Sequence, residues 1–390
     1  MDYTKLMNKT VQELKPSGIR RFFDIAAEME NVTSLTIGEP DFSTPWHIRQ
    51  AGIKTLEDGK TWYSANAGMI RLREAIAAYC ERHFSLSYDP KDEIIVTVGG
   101  SEAIDLSLRV LLQAGDEVLV PEPSFVCYAP LATLTGATAV PVVTTEEDSF
   151  RLTADALRAA ITPRTKALIF PFPNNPTGGV MRREDLEAVA AVLRDTDIVV
   201  ISDEIYGELT YGDTPHVSIA AIDGMKERTV RISGFSKSFA MTGWRLGYVC
   251  GPQPIMKQML KLHQYALMCA PTTAQYAAIE AMENGDEDVV TMRNEYDMRR
   301  RYILQRLRDM GLPCFEPEGA FYVFPCIAGT GMTSEEFCTR LLKEKHVAVI
   351  PGTAFGNCGE GFVRISYCYS LKHITMAMDT MQAFLAEHCR

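Results

Sequence analysis

Long apolar runs are missing from this chain: no stretch of about 18 consecutive apolar residues occurs, so no segment reads as a transmembrane helix. The residues from Met1 to Thr10 lack the apolar core of roughly 7–15 residues that a secretory signal needs. A long basic run is also absent. Lys and Arg total 39 against 50 Asp and Glu, a formal net charge of −11, which argues against contact with a nucleic-acid backbone. The ten cysteines, among them Cys80, Cys127, Cys250, Cys314 and Cys389, stand singly, without the CxxC pairs of zinc sites or redox dithiols. They read as reduced thiols, and the chain as cytoplasmic with no membrane partner. His47, His216 and His263 have no metal-ligand spacing, and there is neither an internal repeat nor a low-complexity linker.

What is present is an ordinary globular composition, 46% hydrophobic, in a 390-residue chain long enough for two domains. Between Glu93 and Gly251 short apolar runs alternate with helical patterns. The runs are Ile94–Val98, Val118–Val120, Ala167–Phe170, Ile198–Ile201, Val230–Ile232 and Tyr248–Cys250. Continuous apolar strands separated by helices, here Ser101–Leu112 and Arg183–Leu193, predict an α/β fold with a mostly parallel sheet buried on both faces. Ligands of such sheets bind at the carboxyl ends of the strands. After about Met282 the pattern changes to a long charged helix, Val289–Met310, followed by Gly319–Phe324 and Val347–Ile350, which predicts a smaller α+β domain.

Four strand-end segments carry residues suited to chemistry. Lys237 lies in Ser233-Gly-Phe-Ser-Lys-Ser-Phe-Ala-Met-Thr-Gly-Trp-Arg245, among small hydroxyl residues and ahead of an arginine. A solvated lysine is the ordinary reading, but a lysine that attacks a carbonyl near pH 7 must be desolvated or set beside positive charge, as Arg245 would provide. Gly99-Gly-Ser-Glu-Ala103 follows a strand and opens a helix, which aims free N–H groups at a place where a phosphate can sit. Asp203 follows the strand Ile198–Ile201 and is read either as a helix cap or as a carboxylate in the ligand crevice. Arg364 lies in the apolar segment Phe362–Ser366, where a buried charge requires a carboxylate partner.

Together with Asn174-Asn-Pro-Thr-Gly178, Ser202-Asp-Glu-Ile-Tyr206, Leu35–Phe42 and Met241–Gly247, these segments resemble the fold-type I pyridoxal-phosphate aminotransferases of class I/II. The branch most similar is that of the bacterial aspartate, aromatic and N-acetyl-diaminopimelate aminotransferases. The resemblance runs from Ser17-Gly-Ile-Arg20 to Ser366. It implies pyridoxal 5'-phosphate as cofactor, bound through Lys237, with Gly100, Ser101 and Glu102 holding the phosphate through their backbones and Ser236 and Arg245 through side chains. Ser233 is left open, because this chain has Gly234 where many relatives carry serine. Asp203 would face the pyridine nitrogen, Asn175 and Tyr206 the phenolate oxygen, and Phe125 the ring face. Gly38, Asn175 and Arg364 would bind substrate. Tyr63 would reach the phosphate of a neighbouring subunit, which makes a homodimer with shared active sites.

The resemblance also places residues 1–44 with 283–390 in a discontinuous small domain, beside a large cofactor-binding domain of residues 45–282. The implied reaction moves an amino group from an L-amino acid to a 2-oxo acid, with Lys237 and Asp203 catalytic and Tyr206 assisting. Two alternatives share the scaffold: a carbon–sulfur β-lyase, and a cofactor-sensing regulator, for which no basic DNA-binding segment precedes the first strand. Ile19, Arg20 and Arg109 stand equally as pocket residues and as packing or surface residues.

Overall fold

A computed structural model describes residues 1–16, 18–19, 29–212 and 215–388. Of the segments singled out above, Ser17, Arg20 and Cys389 lie outside the described residues.

The strands in chain order are β1 (Thr33–Ser34), β2 (Ile94–Thr97), β3 (Glu117–Glu122), β4 (Thr138–Val143), β5 (Thr165–Phe170) and β6 (Val199–Asp203). They continue with β7 (Thr229–Gly234), β8 (Gly247–Cys250), β9 (Tyr322–Val323), β10 (Val347–Ala348), β11 (Ile350–Pro351) and β12 (Val363–Ser366). Seven of them form one sheet in the order β2-β8-β7-β6-β5-β3-β4. Its pairs are parallel except on either side of β8, which runs antiparallel to both β2 and β7. The six apolar runs read from sequence are six of these strands; the seventh, β4, escapes such a reading. It is an edge strand, half exposed, and carries Pro141 where the missing N–H costs no ladder bond on the open side.

Helices cover both faces. Helix Gly100–Leu111 starts one residue earlier than expected, Arg183–Leu193 falls as expected, and the long charged helix spans Asp286–Asp309. The apolar side chains of β2, β6 and β7, such as Ile95, Ile201 and Ile232, pack under helix Gly100–Leu111, while Leu168 and Val200 pack under helix Arg183–Leu193. Beyond Met282, β11, β12 and β9 make a three-stranded antiparallel sheet, and β1 pairs in parallel with β10. The second pairing ties Leu35 into the same core as Phe337, Val349 and Phe384. Among the described residues no helix is long and apolar enough to cross a membrane.

Candidate active site

The sheet order decides what meets at one edge. Parallel strands β3, β5, β6 and β7 release the chain on the same side, and β2, antiparallel to an antiparallel neighbour, releases it there too. Antiparallel β8 begins at that side, so the residues just before it, Arg245 included, join the five strand ends. A cavity of about 340 Å³ lies there. Its wall takes Gly100 and Ser101 after β2, Phe125 and Tyr128 after β3, Asn175 after β5, Asp203 and Tyr206 at the end of β6, and Ser236 and Lys237 after β7. Gly38, from the segment after β1, and Tyr322 and Arg364, from β9 and β12, close it.

Lys237 is half-buried, and its Nζ donates to the carbonyl of Gly38 at 2.6 Å. Burial first, with Arg245 and Arg364 adding to it against Cys368 and Glu39, lowers its ammonium from the ordinary 10.5 to about 8. A neutral amine is therefore within reach near neutral pH, the condition for attack on a carbonyl.

The turn before helix Gly100–Leu111 has the form of an anion cradle. Gly99, at φ 79°, caps the helix with no side chain, and Gly100 and Ser101 open onto the cavity. Gly247 must be glycine here, because a Cβ would stand 2.7 Å from the Gly99 carbonyl carbon and 2.8 Å from the Gly100 nitrogen. That close approach brings Arg245 over the turn, where its Nη2 would lie 3.0 Å from a Cβ added at Gly99. Arg245 itself adopts φ 52°, a left-handed conformation that costs a non-glycine residue about 1–2 kcal/mol and marks a position held for use. Its Nη1 donates to the Thr242 carbonyl at 3.0 Å, and no carboxylate pairs with it among the described residues. These groups fit a phosphate: backbone donors, a helix N-terminus, the buried Ser236 and an unpaired guanidinium.

Beyond the cradle, Asp203 is buried and accepts from Tyr128 Oη at 2.8 Å and from the Ile205 N–H at 3.2 Å. The second bond is a local turn and not a helix cap, since no helix starts at Asp203. Burial raises its carboxyl against these two donors. Tyr206 Oη lies 2.8 Å from Tyr322 Oη, and burial pushes its phenol well above the usual range.

Arg364, 3% exposed, donates Nη1 to Asn175 Oδ1 at 2.9 Å and Nη2 to the Thr36 carbonyl, while its buried Nε has no partner among the described residues. Its guanidinium lies over the rings of Tyr322 and Phe355, at 4.6 and 4.8 Å. Among the described residues no carboxylate forms an ion pair with it, so the internal salt bridge that would have satisfied this charge is not there. The arrangement suits a carboxylate arriving from outside.

The other expected residues divide. Phe125 lines the cavity and meets Tyr128 edge-on at 6.0 Å. Ile19 lines it as well, but Arg109 is on the surface, paired with Asp105 at 2.8 Å. Ser233 is turned toward the Glu204 carbonyl at 3.4 Å and does not line the cavity. Glu102 does not line it either, because its carboxylate turns back to Val98 and His263. Tyr63 is 74% exposed and away from its own chain's cavity. Sequence reasoning missed Tyr128, Tyr322 and Thr36. Tyr128 stands three residues after Phe125, at the start of the helix Tyr128–Leu134, and was within reach of a spacing argument; nothing local marks the other two.

The model of the aminotransferase class I and II family matches residues 30–381. The aspartate aminotransferase of Pyrococcus abyssi (strain GE5 / Orsay) is 48% identical over 383 residues, 98% of each chain. Aromatic-amino-acid aminotransferase 2 of Thermococcus litoralis is 44% identical over 383 residues, again 98% of each. Among solved structures, the aromatic aminotransferase from Pyrococcus horikoshii OT3 superposes with a TM-score of 0.90 at 46% identity, covering 94% of this chain and 99% of that one.

Proposed function

Because this chain belongs to the aminotransferase class I and II family and is a transaminating enzyme, we propose that it works with pyridoxal 5'-phosphate in the cavity between β7 and β12. When bound, this cofactor supplies an electron sink for the pair released at the substrate Cα. The observation that carries the reading is the convergence of Lys237, lowered to about 8, with a helix N-terminus and a buried arginine that lacks a carboxylate.

The residues then divide the work. Gly100, Ser101, Ser236 and Arg245 would hold the phosphate, with Glu102, which does not line the cavity, closing the turn behind them. Asp203 would hold a proton on the pyridine nitrogen, Asn175 and Tyr206 would donate toward the phenolate oxygen, and Phe125 would pack on the ring. Arg364 grips the α-carboxylate of the substrate bidentately, with Asn175 and the Gly38 backbone beside it, which fixes the Cα–H bond relative to Lys237. With the cofactor bound, the Nζ of Lys237 would hold and move the proton at the substrate Cα, a transfer typically worth about 10²–10⁴-fold.

The donor is an L-amino acid, aspartate, aromatic or related, and the acceptor a 2-oxo acid. Residues 45–282 form the large domain and residues 1–44 with 283–390 the small one, a division supported by the β1–β10 pairing. The enzyme acts in the cytoplasm as a homodimer whose sites are shared through Tyr63, a role its exposure supports. The test is borohydride reduction of the loaded enzyme followed by peptide mapping, which should place the pyridoxyl group on Lys237. A label on any other lysine refutes the assignment. A screen of amino donors with and without an oxo-acid acceptor identifies the substrate, and turnover without acceptor would point to a lyase.

A further inference from the structure

We infer that His263, on the helix Gln253–Ala266, is a positioning residue for the phosphate cradle and acts through Glu102, an inference that rests on the phosphate reading above. Gly99 offers no side chain to cap the helix Gly100–Leu111. Glu102, third residue of that helix, does the work from inside: its Oε2 accepts from the Val98 N–H at 2.5 Å, closing the turn on itself. Its Oε1 lies 2.5 Å from Nδ1 of His263, a residue 161 positions away and fully buried.

The tautomer follows from the other ring nitrogen. His263 Nε2 is buried and has no partner among the described residues. A buried N–H without an acceptor forfeits a hydrogen bond, whereas a bare lone pair costs less, so the proton sits on Nδ1 and is donated to the Glu102 carboxylate.

Both oxygens of Glu102 are thereby committed to donors outside the cavity. This matters because a carboxylate at the positive end of a helix competes with any other anion for the same free N–H groups. Held by Val98 and His263, Glu102 leaves the N–H groups of Gly100 and Ser101 to a second anion, and only those two of the three residues line the cavity. Without the His263 donor, Oε1 would be left to compete for the free N–H groups at the helix N-terminus.

The experiment uses the full-length protein freed of cofactor and titrated with pyridoxal 5'-phosphate and, separately, with pyridoxal, which lacks the phosphate. Wild type should bind the phosphorylated form more tightly. His263→Leu, of similar bulk but without a donor, should weaken that form by about tenfold while changing pyridoxal by less than about twofold. His263→Asn, which can present an amide N–H near the place of Nδ1, should recover most of the loss. Should the leucine variant fold poorly, Glu102→Gln tests the same premise: it keeps the shape and removes the competing charge, so binding of the phosphorylated form should not weaken, and a tenfold loss confined to that form would overturn the inference. For His263→Leu, equal losses for both ligands, an unchanged affinity for the phosphorylated form, or asparagine no better than leucine would each overturn the role of His263. If wild type itself shows no preference for the phosphorylated ligand, the phosphate reading falls and this inference with it.

Discussion

Replacing Arg364 by lysine keeps the charge and removes the fork. In the present geometry the guanidinium is held from behind by Asn175 Oδ1 and the Thr36 carbonyl, and it is sandwiched between the rings of Tyr322 and Phe355. An ammonium on a shorter stem can make one charge-assisted bond to a carboxylate where the fork makes two. Losing one such bond is worth about 1.5–3 kcal/mol, or roughly 10- to 150-fold in kcat/KM. The assay is rapid mixing of loaded enzyme with an L-amino acid and with the matching amine that lacks the carboxylate. The amino acid should suffer the full loss and the amine almost none. Stability must be followed separately, because the orphaned oxygens of Asn175 and Thr36 would cost about 1–3 kcal/mol each if left dry. A loss of the same factor for both substrates would show that Arg364 braces the small sheet and does not grip substrate.

Capture of pyridoxal 5'-phosphate by the cofactor-free protein should accelerate with pH up to about 8 and then level, as the Lys237 ammonium empties; continued acceleration toward 10.5 would mean an ordinary exposed lysine. The stability of that protein follows the same group: its folded value is below its unfolded one, so the unfolded chain binds the extra proton between about 8 and 10.5. Stability from this source therefore rises with pH across that window and is absent below it, and Lys237→Met should flatten the trend in unfolding titrations. Asp203→Ala should retain some cofactor yet lower kcat by at least about 10³-fold, since a developing negative charge loses its protonated sink; an unchanged kcat removes Asp203 from the mechanism. Mixing Tyr63→Phe with Lys237→Ala subunits should give heterodimers with one site carrying both lesions and one carrying neither. Their activity should approach half of wild type, provided Tyr63→Phe alone is impaired, and recovery no better than the parental average would confine Tyr63 to its own subunit.

Much of this enzyme was legible along the chain because the signals are local. Continuous apolar runs such as Ile198–Ile201 can be satisfied only by burial on both faces, and a lysine among hydroxyls ahead of Arg245 needs no partner to be noticed. The same locality explains the failures. Pro141 hides β4, which is a strand only because it lies at an edge. Tertiary structure alone decided the pairs that finish the site: Tyr206 with Tyr322, 116 residues apart, Asn175 with Arg364, 189 apart, and Lys237 with the Gly38 carbonyl, 199 apart. Each depends on which strands are neighbours and which ends of them coincide, and that order is set by the burial of both sheet faces against helices from the whole chain. A residue's chemistry is written at its own position, but its partner is chosen by packing.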